Sequence, residues 1–494
     1  MARPLQVLMV ASEAVPYVKT GGLADVIGSL PHALVAQGID VRVVLPHYAG
    51  IDNRDFNPHV LGTIHATVDG VSQAAKIRQT TSPASPGTAA QSTAVQSTAV
   101  PVYLIDAPHY FHRPQPYGYE DDVLRFGFFS RACLEMWPVL DWQPDIIHCH
   151  DWHTGLVPVF LSTGDFGDRL TGIKTIFSIH NLVYQGLSDA SYLPRLGLDA
   201  TLFNHHQLEF YGRLNLLKAG LVFADVLTTV SPNYAREIQT PEFGAGLEGV
   251  LQERAGVLHG ILNGIDYGVW HPCHDGYLPQ RFGPDDLSGK SVCKRSLLRR
   301  MGLSEKDWET RPVIGMVSRL SAQKGFDLVE GALSHLIALG CHVVLLGSGD
   351  ASYMQLFQGL NARCAGAFRA ELGRYDEELA HQIYAGSDMF LMPSHYEPCG
   401  LSQMISLAYG TIPIVRATGG LADSVMEFGP ATGCGNGFVF HDYSVPALLE
   451  AMKRALHCYR SDDWPRVMQN AFTCDFSWDA SACAYAQLYR DIVK

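Results

Sequence analysis

The sequence has a shortage of basic charge and contains no long apolar run. Lys and Arg total 36 against 49 Asp and Glu, which gives a formal net charge of −13. This imbalance argues against a nucleic-acid partner or an anionic membrane surface, because both select basic proteins. No apolar run approaches the roughly 18–20 residues that a membrane span requires. Neither nucleic acid nor membrane is therefore expected as a partner, whereas a neutral polymer remains compatible.

Paired cysteines are also missing. The 11 cysteines are scattered without a CxxC spacing, and their number is odd. This usage predicts reduced, mostly buried thiols and a cytoplasmic location. The first apolar stretch, residues 7–12, is too short for a signal-peptide core and is typical of a buried strand.

What is present is an alternation of strands and helices. Residues 6–11 and 41–45 are apolar strands, separated by a glycine loop at 19–25 and a helical pattern that Gly38 ends. This βαβ unit implies a parallel sheet. Four further strands, each followed by a polar or glycine-bearing turn, are predicted at 313–317, 342–346, 389–392 and 412–415.

These patterns predict two α/β domains of similar build, as the length of 494 residues also favours. We expect an N-terminal domain over 1–258 and a C-terminal domain over 259–474. Residues 475–494 are expected to form a helix that packs back on the first domain. The Ser-, Thr-, Ala- and Pro-rich stretch at about 80–100 is predicted to be a flexible surface insertion.

The hexapeptide TGGLAD occurs at 20–25 and again at 418–423. Paired glycines at a helix N-terminus let backbone N–H groups approach an anion, and the helix dipole adds to that attraction. Two such loops, one in each half, predict a cleft that holds a phosphorylated ligand. The alternative is a pair of tight turns that serve packing alone.

Two cations and a carboxylate follow strands of the second half. Arg319 and Lys324 come after the strand at 313–317, where ligands of open α/β sheets bind, and together they could hold a diphosphate. Glu397, after the strand at 389–392, could accept hydrogen bonds from sugar hydroxyls. Solvated surface charges and a helix-capping carboxylate are the alternatives.

The densest polar cluster is HCHDWH at 148–153. Its histidines and Asp151 are possible metal ligands. No equally clear distal ligand set accompanies them, so we interpret Asp151 and His153 as substrate contacts at a strand end. His180 and Asn181 also follow an apolar strand, and His180 is either a satisfied core histidine or a sugar contact.

Eight motifs resemble those of bacterial glycogen synthases and plant starch synthases. In chain order they are KTGGLADV at 19–26, HDWH at 150–153, HNLVYQG at 180–186, VSPNYAREI at 230–238, LNGID at 262–266, VSRLSAQKG at 317–325, PSHYEPCGL at 393–401 and TGGLADSV at 418–425. The resemblance implies a GT-B glycosyltransferase, with two Rossmann-like domains and an active site in the cleft between them. It implies retaining transfer of glucose from ADP-glucose to the non-reducing end of an α-1,4-glucan such as glycogen, without a metal or other cofactor.

The resemblance also assigns residues. The positions implied in catalysis are Asp151, Arg319, Lys324 and Glu397. Those implied in substrate binding are Lys19, Gly21, Gly22, Asp25, His153, His180, Asn181, Asn263, Tyr375, Cys399, Gly400, Leu401, Thr418, Gly419 and Gly420. Lys19 corresponds to the family's donor-binding lysine, and Arg319 with Lys324 to the pair that stabilises the departing ADP.

Some positions depart from the family pattern. Ile405 stands where the wider GT-B group often has a second glutamate, which favours the glucan synthase branch. His395 stands where bacterial relatives usually have arginine, and Ser402 where threonine is common. Donor affinity or nucleotide preference that differs from theirs is therefore an open alternative. UDP-glucose as donor, glucose 1-phosphate as acceptor and a catalytically silent glucan-binding protein stay as alternatives. A dinucleotide oxidoreductase is rejected, because no strand is followed by GxGxxG.

Overall fold

The computed structural model describes residues 3–51, 56–82, 99–163, 166 and 170–494. The chain forms two compact units. Unit 1 comprises Met1–Gly264 and Trp478–Lys494, and unit 2 comprises Ile265–Ser477. The divisions thus fall after residues 264 and 477, compared with the predicted 258 and 474.

Unit 1 is built on a sheet of nine strands in the order β12-β11-β7-β6-β1-β2-β5-β4-β3. A second, antiparallel sheet has the order β8-β10-β9. The strands are β1 (Gln6–Val10), β2 (Asp40–Pro46), β3 (His59–Val68), β4 (Val71–Ser82), β5 (Val100–Asp106), β6 (Ile146–His150), β7 (Lys174–Ile179), β8 (Leu187–Asp189), β9 (Glu209–Phe210), β10 (Arg213–Asn215), β11 (Val226–Thr229) and β12 (Leu258–Gly260).

Helices cover the strands of this sheet. They are α1 (Gly22–Ala36), α2 (Pro108–Phe111), α3 (Asp122–Glu135), α4 (Leu156–Ser162), α5 (Tyr192–Arg195), α6 (Leu216–Phe223), α7 (Pro232–Glu237) and α8 (Glu248–Glu253). The first βαβ unit is as predicted: β1 pairs in parallel with β2, and α1 ends just before Gly38, whose φ is 81°. Because β1 also pairs in parallel with β6, the carboxyl ends of these strands lie at one edge.

The hairpin of β3 and β4 adds an antiparallel edge that the sequence patterns did not predict. Its second strand runs to Ser82 and pairs with β5, which begins at Val100. The predicted insertion at about 80–100 therefore begins and ends in strand residues, a correction to its bounds. Residues 83–98, which form its interior, lie outside the described residues.

Unit 2 has a wholly parallel sheet in the order β15-β14-β13-β16-β17-β18. Its strands are β13 (Val313–Leu320), β14 (His342–Gly349), β15 (Phe368–Leu372), β16 (Met389–Met392), β17 (Ile412–Arg416) and β18 (Phe438–Phe440). Its helices are α9 (Ser288–Arg300), α10 (Phe326–Ala338), α11 (Ala351–Arg363), α12 (Glu377–Gly386), α13 (Ser402–Ala408), α14 (Gly419–Ser424), α15 (Val445–Tyr459) and α16 (Trp464–Phe472).

Two strands of unit 2 each extend three residues past their predicted ends. Pairing between β13 and β14 continues to Leu320 and Gly349, so Arg319 is a strand residue opposite Ser348 and not a loop residue. The core of the unit lies between this sheet and its helices, with Ile314, Leu345 and Met452 buried in one apolar cluster.

The last helix, α17 (Trp478–Ile492), belongs to unit 1 and packs against α1. Tyr489 places its hydroxyl 2.7 Å from Nδ1 of His148 in β6, and Arg490 donates to the carbonyl oxygen of Gln37 at 3.1 Å. These contacts tie the C-terminal helix to the first βαβ unit. Among the described residues, no helix has the length and apolar character needed to cross a membrane.

Candidate functional site

In unit 1, the loop before α1 is held by a buried carboxylate, Glu13. One oxygen of Glu13 accepts hydrogen bonds from the backbone N–H groups of Thr20, at 2.5 Å, and Gly21, at 3.1 Å, and from the Thr20 hydroxyl at 2.7 Å. The Tyr117 hydroxyl donates to the other oxygen at 3.2 Å. Glu13 is only 4% exposed, so these donors replace its lost hydration. The loop conformation therefore depends on this side chain.

The two glycines of this loop both have room for a side chain. A Cβ atom at Gly22 would meet nothing within 4 Å, and one at Gly21 would meet only a Glu13 oxygen at 3.8 Å. Packing therefore does not explain why Gly22 is a glycine. Open space at the first residue of a 15-residue helix leaves room for a ligand to approach the backbone.

Lys19 and Asp25, two predicted substrate-binding residues, form an ion pair. Their Nζ and Oδ1 atoms are 2.6 Å apart, and the side chains are 50% and 29% exposed. Such an exposed pair contributes about 1 kcal/mol or less to stability. The ammonium of Lys19 can thus exchange its partner for a ligand anion at small cost.

Asp151 follows β6 directly and has a left-handed backbone, with φ of 56°. Such a conformation in a non-glycine residue is unusual and is often found at functional sites. Its Oδ1 atom accepts a hydrogen bond from the backbone N–H of His180 at 2.8 Å. Burial raises the pKa of Asp151 to about 7, although hydrogen bonds from the His180 and Asn181 backbone oppose the shift. The structure therefore brings Asp151, His180 and Asn181 together.

The histidines around Asp151 are uncharged. Burial lowers the pKa of His153 and of His180 to about 3. His180 Nε2 lies 3.0 Å from Nδ1 of His150, and His153 packs against the rings of Trp152 and Phe126. A neutral imidazole offers one donor and one acceptor, which matches the two roles of a sugar hydroxyl.

Three buried side chains in the predicted motifs of unit 1 have polar atoms without partners among the described residues. These atoms are Nε2 of His150, both ring nitrogens of His153 and Oδ1 of Asn263. Such atoms are normally hydrogen bonded in folded proteins, so they favour a polar ligand or water at these positions. His148 differs, because its two ring nitrogens lie 2.7 and 2.6 Å from the hydroxyls of Tyr489 and Ser178. His148 is a satisfied core histidine.

In unit 2, Lys324 and Glu397 form a largely buried ion pair. Lys324 Nζ lies 2.6 Å from Glu397 Oε2, and the two side chains are 18% and 7% exposed. The Ser394 hydroxyl donates to the same oxygen at 3.0 Å. Gly325 allows this approach: its φ is 70°, and a Cβ there would lie 2.0 Å from the Pro393 carbonyl oxygen.

The second TGGLAD loop packs against the segment of Glu397. The N–H of Gly420 donates to the carbonyl oxygens of Glu397 and Pro398 at 3.1 and 3.2 Å. A Cβ at Gly419 would lie 1.8 Å from the Glu397 oxygen, and one at Gly420 2.2 Å from that of Cys399. Close backbone packing thus accounts for both glycines here, in contrast to Gly22.

Of the other predicted residues of unit 2, some lie at the start of a helix and two are exposed. Gly400, with φ of 72°, and Leu401 lead into α13, and Thr418 is the N-cap residue of α14. Arg319 is exposed near the carboxyl end of β13. Tyr375 is 53% exposed in the turn before α12.

Three side chains in these surroundings were missed from the sequence: Glu13, Tyr117 and Ser394. Glu13 had a detectable signal, because it follows the carboxyl end of β1, where ligand sites of parallel sheets lie. Ser394 also had a signal, because it lies in the PSHYEPCGL motif three residues before Glu397. Tyr117 had none, since only the folded chain brings it to Glu13.

Comparison with known proteins places both units in glycosyltransferase families. The model of the starch synthase catalytic domain matches residues 6–253, and that of glycosyl transferases group 1 matches residues 304–470. A glycogen synthase of Desulforudis audaxviator is 47% identical, covering 100% of this chain and 97% of the relative. One of Moorella thermoacetica is 44% identical, covering 100% and 98%.

Solved structures agree. The catalytic domain of starch synthase IV from Arabidopsis thaliana, bound to ADP and acarbose, superposes with a TM-score of 0.90 at 36% identity, covering 99% of each chain. Sucrose-phosphate synthase from Thermosynechococcus elongatus, at 17% identity and a TM-score of 0.59, shares the fold. The chain belongs to the glycogen and starch synthase family and is a hexosyltransferase with the two glycosyltransferase domains of the GT-B architecture.

Proposed function

We propose that this chain transfers glucose from ADP-glucose to the non-reducing 4-hydroxyl of an α-1,4-glucan, with retention, and so elongates glycogen. The observation that carries the proposal is 44–47% identity to glycogen synthases over essentially the whole chain. The starch synthase relative binds ADP and acarbose, a nucleoside diphosphate and an oligosaccharide analogue, which is the ligand combination that this reaction needs.

In unit 2, the proposed role of Lys324 is to neutralise the departing diphosphate. Negative charge grows on the diphosphate as its bond to glucose C1 breaks. An ammonium already fixed by Glu397, at 2.6 Å, needs little reorganisation when that charge develops. Arg319 adds a second cation near the carboxyl end of β13, where ligands of parallel sheets bind.

In unit 1, the proposed role of Asp151, His153 and His180 is to hold sugar hydroxyls. Uncharged imidazoles accept and donate hydrogen bonds without attracting a counter-ion, and buried groups make stronger hydrogen bonds than exposed ones. Lys19 and the N–H group of Gly22 are proposed to contact the phosphorylated donor, while Gly21, whose N–H is bonded to Glu13, is proposed to leave room for its approach. The open space at Gly22 supports that approach.

Retention is proposed to follow from attack on the face that the diphosphate leaves. The acceptor 4-oxygen bonds to glucose C1 as the bond from C1 to the diphosphate oxygen breaks, and the acceptor proton passes to the diphosphate. This step uses cationic side chains for charge neutralisation, so we expect neither a catalytic metal nor another cofactor. Because all 11 cysteines are free thiols, as is usual in reducing compartments, we propose a cytoplasmic location.

Product analysis with a panel of substrates tests the proposal. We expect ADP release and elongation of malto-oligosaccharides by α-1,4-linked glucose from ADP-glucose. Faster reaction with UDP-glucose, or transfer to glucose 1-phosphate in place of the glucan, would contradict the donor or acceptor assignment. Glycogen binding with no nucleotide release from either donor would identify a silent binding protein.

A further inference from the structure

Two histidines of unit 1 that have no role in the proposed transfer reaction lie close to one carboxylate oxygen. His47 follows β2, Asp106 ends the neighbouring strand β5, and His112 follows α2. Asp106 Oδ1 lies 3.4 Å from Nδ1 of His47 and 3.5 Å from Nε2 of His112. Among the described residues, these form the one group of three His, Cys, Asp or Glu side chains with ligand atoms all within 4.8 Å.

The spacing of these atoms fits a metal ion. Zinc bonds to nitrogen and oxygen ligands are about 2.0–2.2 Å long, which puts the ligands of a tetrahedral site about 3.4 Å apart. The two observed separations, 3.4 and 3.5 Å, match that edge. Two imidazoles and one carboxylate are ligands that zinc accepts, and three protein ligands leave one position for water.

The surroundings favour a defined site with access from solvent. His47 is 2% exposed and Asp106 is 6% exposed, so both are fixed by the fold. The His112 side chain is 41% exposed and gives an ion a route from solvent. Arg78 donates its Nε–H to Asp106 Oδ2 at 2.7 Å. This contact orients the carboxylate, with Oδ1 towards the two imidazoles, in the way that partners of metal ligands do.

We propose that His47, Asp106 and His112 bind a zinc ion that links the ends of β2 and β5 to the segment after α2. The site shares no residue with the groups assigned to donor or glucan. The positive charge of Arg78 weakens cation binding, so micromolar affinity is expected. The ion ties two neighbouring strands to a connecting segment and takes no part in glucose transfer.

Zinc titration of the full chain, stripped of metal and with its thiols alkylated, tests the proposal. Alkylation is needed because Cys273, Cys434 and Cys483 are exposed. The matched variants are His112→Ala and His109→Ala, since both remove an exposed imidazole from one short segment. Calorimetry with zinc chloride gives the affinity, and cobalt chloride in place of zinc gives the visible bands of a tetrahedral site.

We expect one micromolar zinc site in the parent chain and in His109→Ala. In His112→Ala the affinity should fall at least about 10-fold, and the tetrahedral cobalt bands should disappear. Circular dichroism establishes that both variants are folded. The proposal is overturned if the parent chain binds no zinc at millimolar concentration, or if His112→Ala retains the parent affinity and cobalt spectrum.

Discussion

Lys324 Nζ and Glu397 Oε2 lie 2.6 Å apart, with the Ser394 hydroxyl donating to the same carboxylate oxygen. The ammonium is therefore positioned before any diphosphate arrives. A lysine held in place by a carboxylate needs less reorganisation to stabilise the developing charge than a flexible lysine would. This pair links the stability of unit 2 to its proposed chemistry, and the two effects are separable by mutation.

Lys324→Met should reduce kcat by about 10²–10³, the usual effect of removing one group that stabilises transition-state charge. Unfolding free energy should fall by on the order of 3 kcal/mol, because Glu397 is left buried without its cation. In the double variant with Glu397→Gln, stability should recover in part while activity stays low. Urea unfolding and initial rates of ADP release measure the two effects.

The control is Lys453→Met. Lys453 pairs with Glu450 at 2.6 Å, but the two side chains are 57% and 62% exposed. Its loss should change stability by less than about 1 kcal/mol and leave the rate unchanged. If Lys324→Met matched this control in rate, Lys324 would have no part in charge stabilisation.

Alanine substitutions at Gly22 and Gly419 should distinguish a glycine that a ligand approaches from a glycine that packing requires. Gly22→Ala meets open space, so stability should stay within about 1 kcal/mol. Because the added methyl group stands where the donor is proposed to approach, KM for ADP-glucose should rise by about tenfold, equivalent to 1.4 kcal/mol. An unchanged KM would remove Gly22 from the donor site.

Gly419→Ala should instead destabilise the fold. Its added Cβ would lie 1.8 Å from the Glu397 carbonyl oxygen, at a φ of 46° that disfavours side chains. We expect a loss of roughly 1–3 kcal/mol from this overpacking. Thermal unfolding of the two variants side by side measures the contrast. Equal stability of both variants would contradict the packing explanation.

The two TGGLAD segments show what sequence could and could not predict. The helix that follows each glycine pair, and the parallel sheets behind them, come from local apolar patterns and were predicted. Whether a glycine contacts backbone or open space depends on neighbours distant in sequence, so identical hexapeptides have different surroundings. For the same reason the local pattern predicts a loop at Arg319, whereas pairing with Ser348 extends β13 past it.

Asp151→Asn should change the pH dependence of stability. Burial raises the pKa of Asp151 to about 7, so the folded chain keeps a proton that the unfolded chain loses near pH 4. Between about pH 4 and pH 7 the parent should therefore lose stability relative to the variant. The pKa shift corresponds to a loss of unfolding free energy on the order of 4 kcal/mol, and this loss should be constant above pH 7. If the urea midpoints of the parent and of Asp151→Asn differed by the same amount at pH 5 and at pH 8, the raised pKa of Asp151 would be excluded.

We expect Glu13 to act as a positioning residue for the loop at 19–25, which is proposed to contact the donor. Glu13→Ala removes the acceptor for two backbone N–H groups and the Thr20 hydroxyl, so KM for ADP-glucose should rise more than kcat falls. Glu13→Gln keeps an acceptor oxygen and should restore much of the affinity. If the role of Glu13 were purely structural, Glu13→Ala would lose stability without a change in KM for ADP-glucose. Steady-state kinetics and urea unfolding of the variants together distinguish the two roles.

Incorporation of labelled glucose into glycogen tests the central claim most directly. The purified chain should transfer glucose from ADP-glucose to glycogen, releasing one ADP per glucose, with a kcat/KM well above that for UDP-glucose. The new linkage should be α-1,4, as NMR of the debranched product would show. No incorporation from ADP-glucose by the folded chain, or a β-linked product, would contradict the assignment of a retaining glucan synthase.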